Sequence, residues 1–562
     1  MKSRSILVRL PGYPFTFEAL MPDHELASTA ACLLAEGHET VIRDFGTVGL
    51  MDRLFPAEVR TTAHHLADRF LDGAPLSPMR ALHTMWQLRA GDRAFQARQT
   101  ACCEELADKL TQGEKVDFIA LKVDHSDDLH SAILLAKQIH HRAPGVCLAA
   151  FGRAAALYAR ELVSATNAFD CVCTSDPEIG IPAWAGVVHR RDRWPTLPNL
   201  VLPGTDRPCH TQLDVVNELD ALPEPVYDSS VYRAMRNNRK LKLFPVEDSR
   251  GCVNTCNDCP ESAEQGALRV RAAGRVSAHM ANITAEHGTA AFRIVGAGAP
   301  MSHAADIART LVENRQKAVY SRSGNLPGAD SILLPILARS GCLSLTYHVG
   351  SGSQRLLRDY FGQLVRVSDI EALLRACRNA GIAAVTRFVY PTPADDHHTC
   401  AETVRLLERT RPQAGLIELP AVLPRSQWYQ QPWRYGYALA FGTQLRKLLR
   451  TRTRFGAPRS RWRSLPFRMG DMTPAQVIQT HETMIHEVES LGVAAYMLEQ
   501  TPLVAHVLGW QSTLVEFRTE TLRRFLTGDV HGIARIVKDF NTRASASTDL
   551  GDSAQLRAAV GN

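Results

Sequence analysis

Three cysteines stand close together near the middle of the chain, in Gly251-Cys252-Val253-Asn254-Thr255-Cys256-Asn257-Asp258-Cys259-Pro260, with the spacing C-x3-C-x2-C. The apolar run Leu243-Phe244-Pro245-Val246 just before them reads as a strand. Thiolates so spaced on one tight loop can hold three corners of a cubane 4Fe-4S cluster and leave the fourth iron open. A structural zinc loop and three unpaired core cysteines are the competing readings. Zinc usually takes four protein ligands from paired knuckles, and no second knuckle is visible. A core strand leaves the polar Asn254, Thr255, Asn257 and Asp258 between the thiols unexplained.

At 562 residues the chain is long enough for two to four domains. Its 64 Lys and Arg against 58 Asp and Glu give a net charge of +6, small for this length, which argues against a protein that coats nucleic acid. Thirteen cysteines are too sparse for a disulfide scaffold. The start, Met1 to Pro11, is basic but carries an apolar run too short for a secretory signal. No apolar stretch reaches the roughly 20 residues of a membrane span. The expectation is a cytoplasmic protein with reduced thiols.

The elements that must position the cysteine loop fall into three groups. In residues 1–185, apolar runs at Ile6 to Leu10, Val41 to Phe45, Phe118 to Val123, Val146 to Phe151 and Phe169 to Cys173 read as strands. Helical periodicity fills the gaps, as from Asp23, a plausible N-cap, to Gly37, a stop. That alternation predicts a parallel sheet, whose ligand sits over the carboxyl ends of the strands. The loops there are Gly12 to Glu18, Asp124 to Asp128, Gly152-Arg153 and Ser175 to Glu178. Residues 186–240, crowded with prolines, read as a linker. In 241–440, strands at Leu243 to Val246, Phe292 to Val295, Ala318 to Tyr320, Leu343 to His348, Ala383 to Val389 and Leu416 to Leu419 alternate with helices. Residues 441–562 open with a basic run, Arg446 to Arg463, read as a solvated linker. Amphipathic helices at Pro474 to Leu491 and Leu514 to Leu526 follow and are expected to pack on the barrel, with a frayed end.

The cysteine loop, the strand before it and its mid-chain position resemble the radical S-adenosylmethionine (SAM) enzymes. The resemblance implies a partial (β/α)6 barrel with its site at the strand carboxyl ends, a cluster on Cys252, Cys256 and Cys259, and SAM beside the open iron. The glycines after strand two, Gly296 and Gly298, then suit close backbone approach to SAM. Ser351 and Ser353 in Gly350-Ser351-Gly352-Ser353 suit its ribose, and Arg387 its carboxylate, although a structural barrel salt bridge explains Arg387 equally well. The acids that the family often places after strand two and at the position of Gly350 are missing.

The first domain resembles the cobalamin-binding domain that precedes the cluster in one branch of these enzymes. That implies cobalamin over Gly12, Tyr13, Ser126, Asp127, Gly152, Ser175 and Glu178; the alternative is a nucleotide-binding or docking Rossmann-like domain. The Asp-x-His-x-x-Gly signature that gives cobalt a histidine is absent, because Asp124-His125 is one residue too tight. A cobalt without a strong lower ligand gives up a methyl group more readily. The helical insertion Val59 to Leu71 is a candidate cover for that face, with Arg69 the nearby group.

The implied activity is a C-methyltransferase that moves a methyl from SAM, via methylcobalamin, to a carbon of a small substrate. The start Leu7 to Pro14 and the context Gly251 to Asn257 resemble the branch that methylates tryptophan at carbon 2 in thiopeptide antibiotic biosynthesis, without a SAM radical. Tyr320 and Tyr347 are candidate bases for the indole proton. Glu261 and Glu264 are candidates to cap the open iron. An external electron donor is a candidate partner. Two alternatives stand beside this reading. One is a radical SAM/cobalamin enzyme of another natural-product pathway that cleaves SAM reductively, to methylate an sp3 carbon or cyclise. The other is a non-catalytic cobalamin or cluster sensor.

Overall fold

Short, largely apolar runs build two parallel sheets, described here from a computed structural model that covers the chain except residues 1, 14, 65–76, 114, 205–206, 297, 327, 329, 450–464, 498 and 547–562. The first sheet holds β1 (Arg4–Arg9), β2 (Glu39–Asp44), β3 (Phe118–Lys122), β4 (Cys147–Phe151), β5 (Cys171–Cys173), β6 (Leu200–Leu202) and β7 (Cys209–His210). Their spatial order is β2-β1-β3-β4-β5-β6-β7. The first five are parallel, and β6 and β7 extend the edge antiparallel. The last two lie in the segment read as a linker, where their brevity and flanking prolines hide them. Asp23 caps the helix His24–Ala35 by accepting from the Leu26 amide at 2.9 Å, and Gly37 ends it at φ +81°.

The second sheet holds β8 (Phe244–Glu247), then, past the small antiparallel ribbon of β9 (Ser249–Arg250) and β10 (Arg269–Val270), the strands β11 (Ala291–Val295), β12 (Val319–Gly324), β13 (Cys342–Gly350), β14 (Ala383–Val389) and β15 (Ala414–Glu418). Its order, β15-β14-β13-β12-β11-β8, is parallel throughout and forms the wall of a partial barrel. Side-chain alternation sorts each strand. Phe292, Tyr320, Leu345, Tyr347, Ala384 and Ile417 join the core shared with the surrounding helices. Ala291, Val319, Val385, Ala414 and Leu416 turn inward.

The chain after the barrel, which includes the ribbon of β16 (Tyr437–Leu439) and β17 (Phe467–Met469), returns to close it. The helix Pro474–Ser490 begins in a capping box between Thr473 and Gln476. Beyond it the carbonyls of Ala494 and Ala495 accept from Gly415 and Ile417 of β15 at 2.9 and 3.0 Å, pairing the free edge of that strand. The helix Thr501–Val507 then plugs the barrel floor, with Leu503, Val504 and Ala505 in the same core as the inward strand residues. The last helices, Leu514–Thr527 and Val530–Ala546, bridge to the first domain rather than packing on the barrel alone. Phe525 packs edge-on against Phe17, and Asn541 bonds the backbone at both Lys240 and Lys242. The basic run from Arg450 to Arg463 and the chain end lie outside the described residues. Among the described residues no helix is long and apolar enough to cross a membrane.

Leu503 is fully buried in the plug. Leu503→Ala is expected to cost about 2–5 kcal/mol, read as a lower urea midpoint; an unchanged midpoint would show that the plug is not part of the barrel core.

Candidate functional site

The carboxyl ends of β1, β3 and β4 face those of β12 to β15 across a single cavity of about 870 Å³, and all three loop cysteines line it. On the first-sheet side, the loop after β1 lies so close to the loop after β3 that a Cβ at Gly12 would fall 2.4 Å from the Asp127 carbonyl oxygen. The Gly12 amide donates to Asp128 Oδ1 at 2.7 Å. Beneath these loops, Lys122 on β3 is buried between Asp124 at 2.6 Å and Asp23 at 2.7 Å, with Arg9 of β1 3.5 Å from Asp23. His125 lies 3.6 Å from Glu18, whose carboxylate raises it to about 9.

On the barrel side, the polar residues between the cysteines pin their loop. Asn254 Nδ2 donates to Asn325 Oδ1 at 2.7 Å, and Asn257 Nδ2 to the Tyr360 carbonyl at 3.1 Å. Asp258 pairs with His348 of β13 at 2.8 Å. The loop lies against Gly298, where a Cβ would fall 2.2 Å from Cys252 Cα. All three thiols are free. Among the described residues no three His, Cys, Asp or Glu side chains converge on one metal-ion position. Arg153, from the loop after β4, reaches across to Glu261 at 3.5 Å and Glu264 at 3.7 Å. Burial pushes Glu264 up to about 7.

Of the other residues singled out from the sequence, Gly12, Ser126, Asp127 and Arg387 line this cavity. Arg387 pairs with Glu418 at 2.9 Å; against the effect of burial, the carboxylates of Glu418 and Glu499 hold it above its ordinary value. Arg69 lies outside the described residues. The rest are placed elsewhere. Tyr13 is in the core, its hydroxyl donating to the Phe525 carbonyl. Gly152, at φ +93°, lets its loop pass Asp124, where a Cβ would fall 2.7 Å from Oδ1. Ser175 is buried, with no hydrogen-bond partner for its hydroxyl among the described residues. Glu178 is buried against Arg250 at 2.7 Å, in the contact between the two domains. Gly296 backs onto Asp248, and Ser351 and Ser353 are buried in the turn after β13, where the Ser353 amide donates to Ser351 Oγ at 3.2 Å.

The two tyrosines offered as bases face the wrong way for that role. Tyr320 and Tyr347 are on the outer face of the barrel, bonded to Ser340 and Cys377, and burial raises both phenols. The cavity wall also presents Arg153 and Asp258, which the sequence placed in loops at the site without a role, and His348 and Glu418, which it did not assign there. For His348 the signal was there, since it lies near the carboxyl end of its strand on the face opposite Tyr347.

No protein-family model matches the chain. Over 234 residues it is 24% identical to the cytidylyl-2-hydroxyethylphosphonate methyltransferase of Streptomyces wedmorensis, a match covering 39% of this chain and 44% of that enzyme, so the chain spans less than half the length of this curated relative. In structure it is similar to the radical SAM methyltransferase TsrM of Kitasatospora setae. The form with cobalamin and a 4Fe-4S cluster bound gives a TM-score of 0.63 at 13% identity, over 95% of this chain and 100% of that one. The form with tryptophan and the SAM analogue aza-SAM gives 0.55 at 14%, over 76% and 75%. The cobalamin-dependent SAM radical enzyme OxsB, with aqua-cobalamin and SAM, gives 0.54 at 13%, over 88% and 62%. These likenesses show the fold, a Rossmann-like domain ahead of a partial barrel and helical C-terminal region, as expected from the sequence.

Because a side chain at position 298 would displace Cys252, Gly298→Ala is expected to retain about half or less of the wild-type iron after anaerobic reconstitution. Full iron content would show that the loop does not depend on this contact.

Proposed function

We propose that the chain is a SAM- and cobalamin-dependent C-methyltransferase whose acceptor is carbon 2 of tryptophan. The observation that carries this reading is the shared cavity, lined on one side by the strand ends of a Rossmann-like sheet and on the other by a three-cysteine loop. When bound, SAM supplies the methyl group, the cobalt of cobalamin relays it, and the iron-sulfur cluster occupies the thiols. Cys252, Cys256 and Cys259 would hold the cluster, with Gly298 and Asn325 fixing their loop. Gly12, Ser126 and Asp127 would receive the corrin on the opposite wall. Arg153 crosses the gap between the two walls.

The barrel mouth adds Val389, Leu419, Leu423 and Trp428, an apolar wall suited to an indole ring and to excluding water. The tryptophan bound to TsrM and the placement of this wall support the acceptor. The chain also lacks the acids that accompany reductive SAM cleavage in the family it resembles, which favours transfer without a SAM radical.

Anaerobic reconstitution is expected to give about four iron and one cobalamin per chain, with Cys256→Ala losing the iron and keeping the cobalamin. With an external reductant, SAM and L-tryptophan, the expected products are 2-methyltryptophan and S-adenosylhomocysteine. Zinc in place of iron, or no cobalamin, overturns the reading; stoichiometric 5′-deoxyadenosine replaces it with the SAM-cleaving alternative.

A further inference from the structure

Barrel interiors are normally filled with layers of apolar side chains, and the floor of this one follows that rule. Immediately above the floor, charged residues alternate in sign. Arg293 of β11 pairs with Glu499, and Arg387 of β14 pairs with Glu418 of β15. The Glu499 carboxylate also acts on Arg387. Glu499 comes from the chain between the segment that pairs with β15 and the plug helix, so the C-terminal region reaches into the barrel.

An ionic layer that served only stability would close on itself, since buried charge is costly unless fully paired. This layer stays open. Arg387 directs both Nε and Nη2 to one oxygen, Oε1 of Glu418, at 2.9 Å. Arg293 is 7% exposed, and its Nη1 is buried with no hydrogen-bond partner among the described residues. Its Nη2 reaches Ser323 Oγ at 3.4 Å, and Ser323 lines the cavity. The side chains of Arg387, Glu418 and Glu499 keep 42%, 34% and 34% of their surface exposed although they stand inside a barrel. Two guanidiniums and two carboxylates sum to no net charge, so a ligand group of either single sign meets as much repulsion as attraction, and a zwitterion meets complementary partners at both ends.

We propose that this layer receives a zwitterionic α-amino-carboxylate head group, the carboxylate at Arg387 and the ammonium at Glu418 and Glu499, with the buried Arg293 positioning Glu499. The inference rests on the proposed function, in which two participants carry that group: the amino-acid acceptor and the methionine end of SAM. Glu499 thereby becomes a specificity residue, and the C-terminal region part of the site. A phosphonate anion, as in the acceptor named for the Streptomyces relative, is a poor match for a layer half made of carboxylates.

The test uses the reconstituted full chain with the isosteric variants Glu499→Gln and Glu418→Gln, iron and cobalamin being measured in every sample. Equilibrium dialysis is run against L-tryptophan, tryptamine, indole-3-propionate and S-adenosylhomocysteine. Wild type is expected to bind L-tryptophan about tenfold or more tighter than either truncated analogue. Each variant is expected to lose about tenfold for L-tryptophan and nothing for indole-3-propionate, which has no ammonium to lose. The same loss for S-adenosylhomocysteine in place of L-tryptophan supports the layer and assigns it to SAM. Wild-type affinity for both ligands in both variants overturns the proposal, as does a wild type that binds neither. A chain that takes up neither cofactor overturns the proposed function, while its binding of L-tryptophan still reads the layer.

Discussion

Arg250, two residues before the first cysteine of the loop, is buried at the contact between the two domains, where its guanidinium meets Asp176, Glu178 and Glu247 at 3.1, 2.7 and 2.6 Å. Arg269 adds a bond to Asp176 and Arg271 one to Glu247, so three cations answer three carboxylates. Removing one member of such a set leaves an uncompensated buried charge, which costs about 3–5 kcal/mol. Only one placement of the Rossmann-like domain against the barrel completes all these bonds at once. Asp176 and Glu178 belong to the first domain and Gly251-Cys252 follow Arg250 directly, so the same placement sets the distance from the cysteine loop to the strand ends of the first sheet. A cavity built from two domains depends on such a joint more than on either wall alone.

The walls differ in how they tolerate charge. The first sheet carries Arg9 and Lys122 at its strand ends, both buried and neutralised by Asp23 and its neighbours, with Arg9 bordering the cavity. Inside the barrel Arg387, Glu418 and Glu499 stay part-exposed, and Arg293 alone of that layer is buried. One set fixes loops and the other is available to a ligand, although the residue types are the same. What separates them is exposure and spare hydrogen-bonding capacity, which belong to the folded state.

That distinction also explains what the sequence could and could not reveal. The cysteine loop was legible because its chemistry lies in local spacing, and the parallel strands because apolar runs between helices have few other uses. Tyr320 and Tyr347 were misplaced for a matter of parity. Neighbouring residues of a strand face opposite ways, and the helix-covered outside of a barrel takes the aromatics while Ser323, Thr346 and His348 turn inward. Glu178 was misread because an acid in a loop at a strand end looks alike whether it meets a cofactor or an arginine. Glu499 was invisible because its place follows from pairing between β15 and a segment far along the chain.

That pairing has a consequence for how the molecule is made. Synthesis runs from the amino terminus, so β15 emerges with one edge bare and the barrel floor unfilled, and both stay so until residues 494 to 507 follow. A bare strand edge is a template for any neighbouring chain. The cysteine loop has left the ribosome long before that seal arrives, and for this interval its thiols stand in a barrel with an open seam. Until that segment arrives, the half-made protein carries a strand edge that a neighbouring chain can pair with.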